Sequence, residues 1–195
     1  MTLANAIGQS GIKALGPLHI EVFPEASSQS FTGAHFLNLS SGLLQMGATA
    51  HATNNLGADG ATTTLILGKA NKSAVGTART AIPVTCANDS TMFSIPVWHT
   101  SDSGTNVRLR EALLGDKFEV GNRTANQPDS TAGNVTNTWV LDTASTTNVK
   151  MRVCSFVARD NAVVPGKQGV AWSSTSGEKY GHVWAKVIAT SRGLG

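Results

Sequence analysis

Apolar and polar residues alternate in short runs along most of this chain, most clearly between Asn137 and Ala158. Val149, Met151, Val153, Ser155 and Val157 occupy one set of positions; Lys150, Arg152, Cys154, Phe156 and Ala158 occupy the other. Successive strand residues point to opposite faces, so this run predicts a strand with one mostly apolar face and one mixed face. Trp139-Val140-Leu141 forms an apolar run ahead of it, and the polar, turn-favouring segment from Asp142 to Asn148 lies between. The pattern predicts a β-hairpin with a longish loop, around which the other strands gather.

Those other strands are read at Leu18 to Phe23, Phe36 to Leu39, Leu43 to Met46, Thr62 to Ala70, Arg79 to Cys86, Thr91 to His99, Lys117 to Val120 and Tyr180 to Thr190. Pro83 and Pro96 move their runs towards edge positions or bulges, because proline cannot donate to a ladder. Leu109, Leu113 and Leu114 sit at helical spacing, and Gly115 can cap a single helical turn. Asp160 to Gly166 holds a short strand and a Pro-Gly turn, while Gly121 to Asn137 reads as a long polar loop. About eight or nine short strands, roughly 8 to 15 residues apart, is the spacing of a barrel or sandwich.

The expected fold is therefore all-β: a single β-barrel or β-sandwich domain over 34–190, with at most one short helix. Residues 1–33 read as an extended N-terminal arm, punctuated by Gly8, Gly11, Gly16, Pro17 and Pro24, and 191–195 read as a frayed tail. The arm carries Ile7, Ile12, Leu15, Leu18, Ile20 and Phe23. So many apolar side chains would be sticky on a free segment, so these six are the expected partner contacts, laid on a neighbour.

Composition adds limits. Charged residues are only 14% of the 195, and the formal net charge is +3. So small and scattered a charge does not argue for a nucleic-acid groove. No window approaches the 18 apolar residues of a membrane span, and Met1 to Asn5 has neither the basic region nor the apolar run of a signal peptide. Cys86 and Cys154 can pair only if their strands are neighbours; with nothing pointing to an oxidising compartment, two buried thiols are expected.

Chemistry is sparse. His19, His35, His51, His99 and His182 are single and far apart, without metal-ligand spacing. Gly11 to Gly16 is followed by Pro17-Leu18 where a phosphate-binding loop needs Lys and then Ser or Thr. Glu111 with Asp116, or Asp142 with Asp160, are carboxylate pairs of the kind that any chain with 12 acids supplies. No catalytic residue, metal or cofactor is expected. Trp98, Trp139 and Trp184 fall in strands and are expected to fill the fold or an interface. Trp172 lies in a loop-like stretch and joins the arm residues as a contact candidate.

Phe93-Ser94-Ile95-Pro96-Val97, Leu113 to Val120, and Trp139 to Thr143 followed by Val149 to Val153 resemble, in order and pattern, tailed-phage head decoration (capsid cement) proteins. The resemblance implies a β-barrel-like domain without catalysis. It also implies binding to the outer surface of the major capsid protein shell, self-association as a homotrimer, and a place on the virion exterior after synthesis in the host cytoplasm. Neither nucleic acid nor membrane would be a partner. Apolar contacts alone would not offset the entropy of ordering such an arm, so strand addition to a sheet edge is expected as well. The rival readings are a carbohydrate- or receptor-binding module using Trp172 and the long loop, and a phage connector or tail protein.

Overall fold

A computed structural model of the chain describes residues 12–31, 33, 35–46, 65–98, 109, 111–123, 138–144, 148–157 and 181–194. Eleven strands are present among them: β1 (Lys13–Leu15), β2 (Ile20–Pro24), β3 (Phe36–Ser40), β4 (Leu43–Met46), β5 (Gly68–Ala70), β6 (Ala81–Cys86), β7 (Met92–Trp98), β8 (Lys117–Arg123), β9 (Thr138–Asp142), β10 (Met151–Phe156) and β11 (His182–Val187). The fold is all-β, as the alternation predicts. Helical turns among the described residues are the short 3-10 segments Glu111–Leu113 and Ala189–Ser191. Gly115 follows the first at φ 83°, the left-handed cap expected there. No described helix is long and apolar enough to cross a membrane.

Five strands close into a barrel in the order β7-β11-β10-β8-β9, and β9 returns to β7. The ladders are antiparallel except this closing pair, where Val97 lies beside Leu141. The register puts Phe93, Ile95, Val97, Phe118, Val120, Leu141, Met151, Val153, Val183, Ala185 and Val187 on the inner face, and all are buried. A barrel this small is filled by its side chains rather than hollow. The second sheet runs β2-β6-β5-β3-β4, and its outer strands touch at a Glu25–Leu44 bridge. Ser41 (φ 51°) and Gly42 (φ 79°) form the two-residue turn between β3 and β4 that left-handed residues favour. Phe36 of that sheet packs edge-on against Phe93 and Trp139, so both sheets share one core.

Several expectations change. The stretch from Asn137 to Ala158 is not a hairpin: β9 and β10 both pair with β8, which lies between them. Alternation identifies strands but not their neighbours, and the turn-rich segment between these two only brings the chain around β8. The described part of the segment read as an arm lies in this chain's own sheets. There β1 pairs with β7, and β2 with β6. The tail read as frayed is anchored: Ile66 N–H donates to the Ser191 carbonyl (2.8 Å), and Gly193 N–H donates to the Ile66 carbonyl (2.9 Å). Between Thr62 and Ala70, ladder pairing is confined to Gly68–Ala70 among the described residues, with Ile66 in an isolated bridge to Arg192.

Neither proline sits on an outer strand. β6 is internal, but the Pro83 carbonyl accepts from Asn71, the residue just past β5, so its nitrogen faces the place where that short strand has ended. Val97 N–H donates to Gly181 across the β11 side, so Pro96 turns its nitrogen to the opposite edge. There the β1 pairing stops at Ser94 and the β9 pairing starts at Val97. Pro96 thus sits in a gap between partners, while Pro83 forgoes a bond at the rung where the β5–β6 ladder ends. Cys86 and Cys154 are free thiols; the first is buried as expected, and the second is exposed at a bulge in β10. Ile7, Trp172, the strand at Asp160 to Gly166, and residues 124–137 of the polar loop lie outside the described residues.

Candidate functional site

Two surfaces are candidates. The first is the edge of β2 ahead of its bridge to β4 at Glu25, a stretch without a ladder partner among the described residues. Cys86 N–H donates to the His19 carbonyl and Glu25 N–H donates to the Thr80 carbonyl, so odd-numbered residues of this strand face β6. The backbone groups of Ile20 and Val22 therefore point to the open side, where Pro24 ends the row without a donor. Their side chains are exposed too, at 53% and 63%, as are Leu18 at 50% and Leu15 at 46%. Of the contact residues expected from the sequence, Leu18 and Ile20 lie along this edge, and Leu15, on β1 of the other sheet, is exposed as well. Ile12 is buried and Phe23 packs against the core, so these two serve the fold. Val22 was missed, although its i+2 spacing from Ile20 is the signal that finds it. His19 Nε2 lies 2.5 Å from Glu21 Oε1 at the surface near this edge.

The second surface is a cavity of about 360 Å³ on the outer face of the barrel. Arg152 of β10 stands directly opposite Lys117 of β8 on one side and Lys186 of β11 on the other. All three line the cavity, with Arg192 from the C-terminal turn, Cys154, and a wall from Val187 to Thr190. The bulge between Val153 and Ser155 puts Cys154 on the outer face next to Arg152. Arg192 is held by Asp89 at 2.7 Å and donates its Nε–H to the Val187 carbonyl. Lys186 Nζ donates to the Asp89 carbonyl at 2.9 Å. Sequence reasoning treated these cations as scattered. Lys117, Arg152 and Lys186 each occupy an outward position of an alternating strand, but only the strand order brings them together.

One register step along the barrel lies a buried polar row. Glu119 is opposite Asp142, and Lys150, whose N–H donates to the Phe118 carbonyl, follows beside Glu119. Burial pulls the Lys150 pKa down from the ordinary lysine value, and the Glu119 charge pulls it back up. Asp142 Oδ1 accepts the Ala144 N–H at 3.0 Å, turning the chain at the end of β9. Two carboxylates and one ammonium buried side by side suit mutual charge compensation. The carboxylate pairs considered from sequence do not form here: Asp160 and the Glu111 side chain lie outside the described parts, and Asp116 is exposed. Among the described residues no three His, Cys, Asp or Glu side chains gather as a metal site.

Comparison with family models, with curated proteins and with solved structures finds no match in any of the three.

Proposed function

We propose that this chain is a non-enzymatic structural protein of a tailed-phage virion that binds the outer surface of the major capsid protein shell and stabilises it. The observation that carries the reading is this edge of β2. Ile20 and Val22 there present exposed apolar side chains and, among the described residues, backbone groups without a ladder partner. An edge strand left this apolar invites strand addition by another chain. A capsid-protein segment adding to it would gain ladder bonds from the backbone and burial from Leu18, Ile20 and Val22 together. The decoration-protein pattern in the sequence supports the same partner, and copies linked as a homotrimer would add avidity.

The test is sedimentation of the protein with empty capsid shells of its own virus, with Ile20→Asp/Val22→Asp as the variant. Both side chains are exposed, so the variant should unfold at the wild-type temperature while failing to pellet with shells. Wild-type protein that does not pellet, or a variant that pellets equally well, would overturn the reading. Light scattering on the free protein checks the trimer. Removing residues 1–30 would not serve as a variant, because it would strip β1 and β2 from their sheets.

A further inference from the structure

Lys117, Arg152 and Lys186 present three positive side chains at directly opposed positions on adjacent strands. Like charges placed this way destabilise a sheet, and among the described residues no carboxylate lines the cavity to offset them. The nearby acids are otherwise engaged or directed. Asp89 is on Arg192, Glu119 is buried in the row with Lys150, and Asp116 precedes Lys117, on the opposite side of the chain. Neither the Lys117 ammonium nor the Arg152 guanidinium has an ion-pair or hydrogen-bond partner among the described residues. An arrangement that costs stability in the empty protein is the form expected of a ligand site.

We propose that this cavity binds a small oligophosphate, a ligand with two or three linked phosphoryl groups. Three cations at successive strand spacings of about 4.8 Å form a row on the order of 10 Å long. A single phosphate answers one or two of them, whereas a linked pair or triplet answers the row. Arg152 at its centre offers the planar fork that pairs two phosphate oxygens at once. Arg192, already oriented by Asp89 and the Val187 carbonyl, closes one side. The cavity volume of about 360 Å³ falls at the lower end of the range for small-molecule sites, roughly 300 to 1,000 Å³. A nucleic-acid strand is a poorer fit, since the cavity is walled by the turn from Val187 to Thr190 and has, among the described residues, no aromatic lining on which bases could stack.

The test is calorimetric titration with inorganic pyrophosphate and tripolyphosphate at matched ionic strength, with a thymidine oligonucleotide as comparator. Wild-type protein should show saturable binding of tripolyphosphate, and Lys117→Gln/Arg152→Gln should weaken it by about tenfold or more, as expected for losing charge-assisted hydrogen bonds. Lys72→Gln, which removes an exposed charge from the turn after β5, should leave it unchanged. Thermal unfolding gives a second readout. Without anion, Arg152→Gln should match or exceed wild-type stability, and with tripolyphosphate only the wild type should gain. Cys154 is the exposed thiol, so its labelling by a thiol reagent should slow when the ligand is bound. Absence of saturable binding, equal weakening by Lys72→Gln, or tighter binding of the oligonucleotide would each overturn the proposal.

Discussion

Phe36 of the second sheet meets Phe93 of the barrel edge to face, with ring centroids 5.2 Å apart and planes at 83°. Trp139 meets the same Phe36 ring at 5.9 Å, so one side chain joins strands from both sheets. Phe36→Ala should therefore cost about 3 to 5 kcal/mol, the range for truncating a buried phenylalanine. Urea unfolding followed by fluorescence and by circular dichroism checks this. The wild type should show one transition by both probes, and a loss well under that range would mean that the two sheets are joined elsewhere.

Where strands fall was largely legible in the sequence. β2, β8 and β10 lie on runs whose alternation marks them, β3, β4, β6, β7 and β11 on runs read as strands without that signal, and Gly42 and Gly115 mark the turns that need left-handed backbone. Pairing was not legible. The runs at Trp139 and Val149 are close in sequence and look like a hairpin, yet β8 separates them, because a barrel is assembled from contacts that no local pattern encodes. The basic cavity was hidden for the same reason: Lys117, Arg152 and Lys186 become neighbours only through the order β8-β10-β11. On the N-terminal segment the apolar residues could be counted but not sorted. Ile12 and Phe23 face the core while Leu18 and Ile20 face outwards, and that distinction depends on which strands lie beneath them.

Glu25 is fully buried, and its carboxylate accepts the Val75 N–H at 3.0 Å and the Gly76 N–H at 2.7 Å. Its own backbone pairs with Thr80 and Arg79, so a single residue fastens the turn between β5 and β6. Glu25→Gln keeps the shape but sets an amide donor against one of those N–H groups. The expected cost is about 1.5 to 3 kcal/mol, the worth of a hydrogen bond to a charged group. Denaturant titration measures it, and proteolysis should show new cleavage between residues 73 and 80. A variant as stable and as resistant as wild type would mean that the turn is held by its backbone alone.

Lys69 carries a stability effect with a definite sign in pH. Its half-buried ammonium donates to the Gly33 carbonyl (3.0 Å), the Ala70 carbonyl (2.9 Å) and Asn71 Oδ1 (3.0 Å). Burial lowers its pKa below the ordinary lysine value. Between that lowered value and the ordinary one, the unfolded chain binds more protons than the folded chain, so this residue makes stability rise with pH across that window. Below the window its contribution is constant. Lys150 shifts the same way, so the informative quantity is the difference between wild type and Lys69→Met rather than the total slope. The variant should be less stable at neutral pH, having left three acceptors unpaired, and should gain less on going towards about pH 10. Parallel stability curves for the two proteins would refute the assignment.

Gly193 lies so close to Leu67 that an added Cβ would stand 2.9 Å from the Leu67 Cα and 3.0 Å from its nitrogen. Neither atom can move without shifting the segment that leads into β5. Ile66 is hydrogen-bonded on both sides of Arg192, to Ser191 and to Gly193, so the last residues act as a short parallel strand. Gly193→Ala should therefore push this segment away and cost about 1 to 3 kcal/mol, the usual penalty for overpacking. Removing 191–195 should also destabilise the protein by freeing the Ile66 backbone. The two variants differ in one respect: Gly193→Ala retains Arg192 and displaces it, while truncation removes it. If the tail positions Arg192 at the cavity, both should weaken tripolyphosphate binding, and Arg192→Gln should do so without the loss of stability caused by freeing Ile66. Unfolding midpoints and titrations on the three variants decide this. Full stability after truncation would show that these hydrogen bonds add nothing net to the fold.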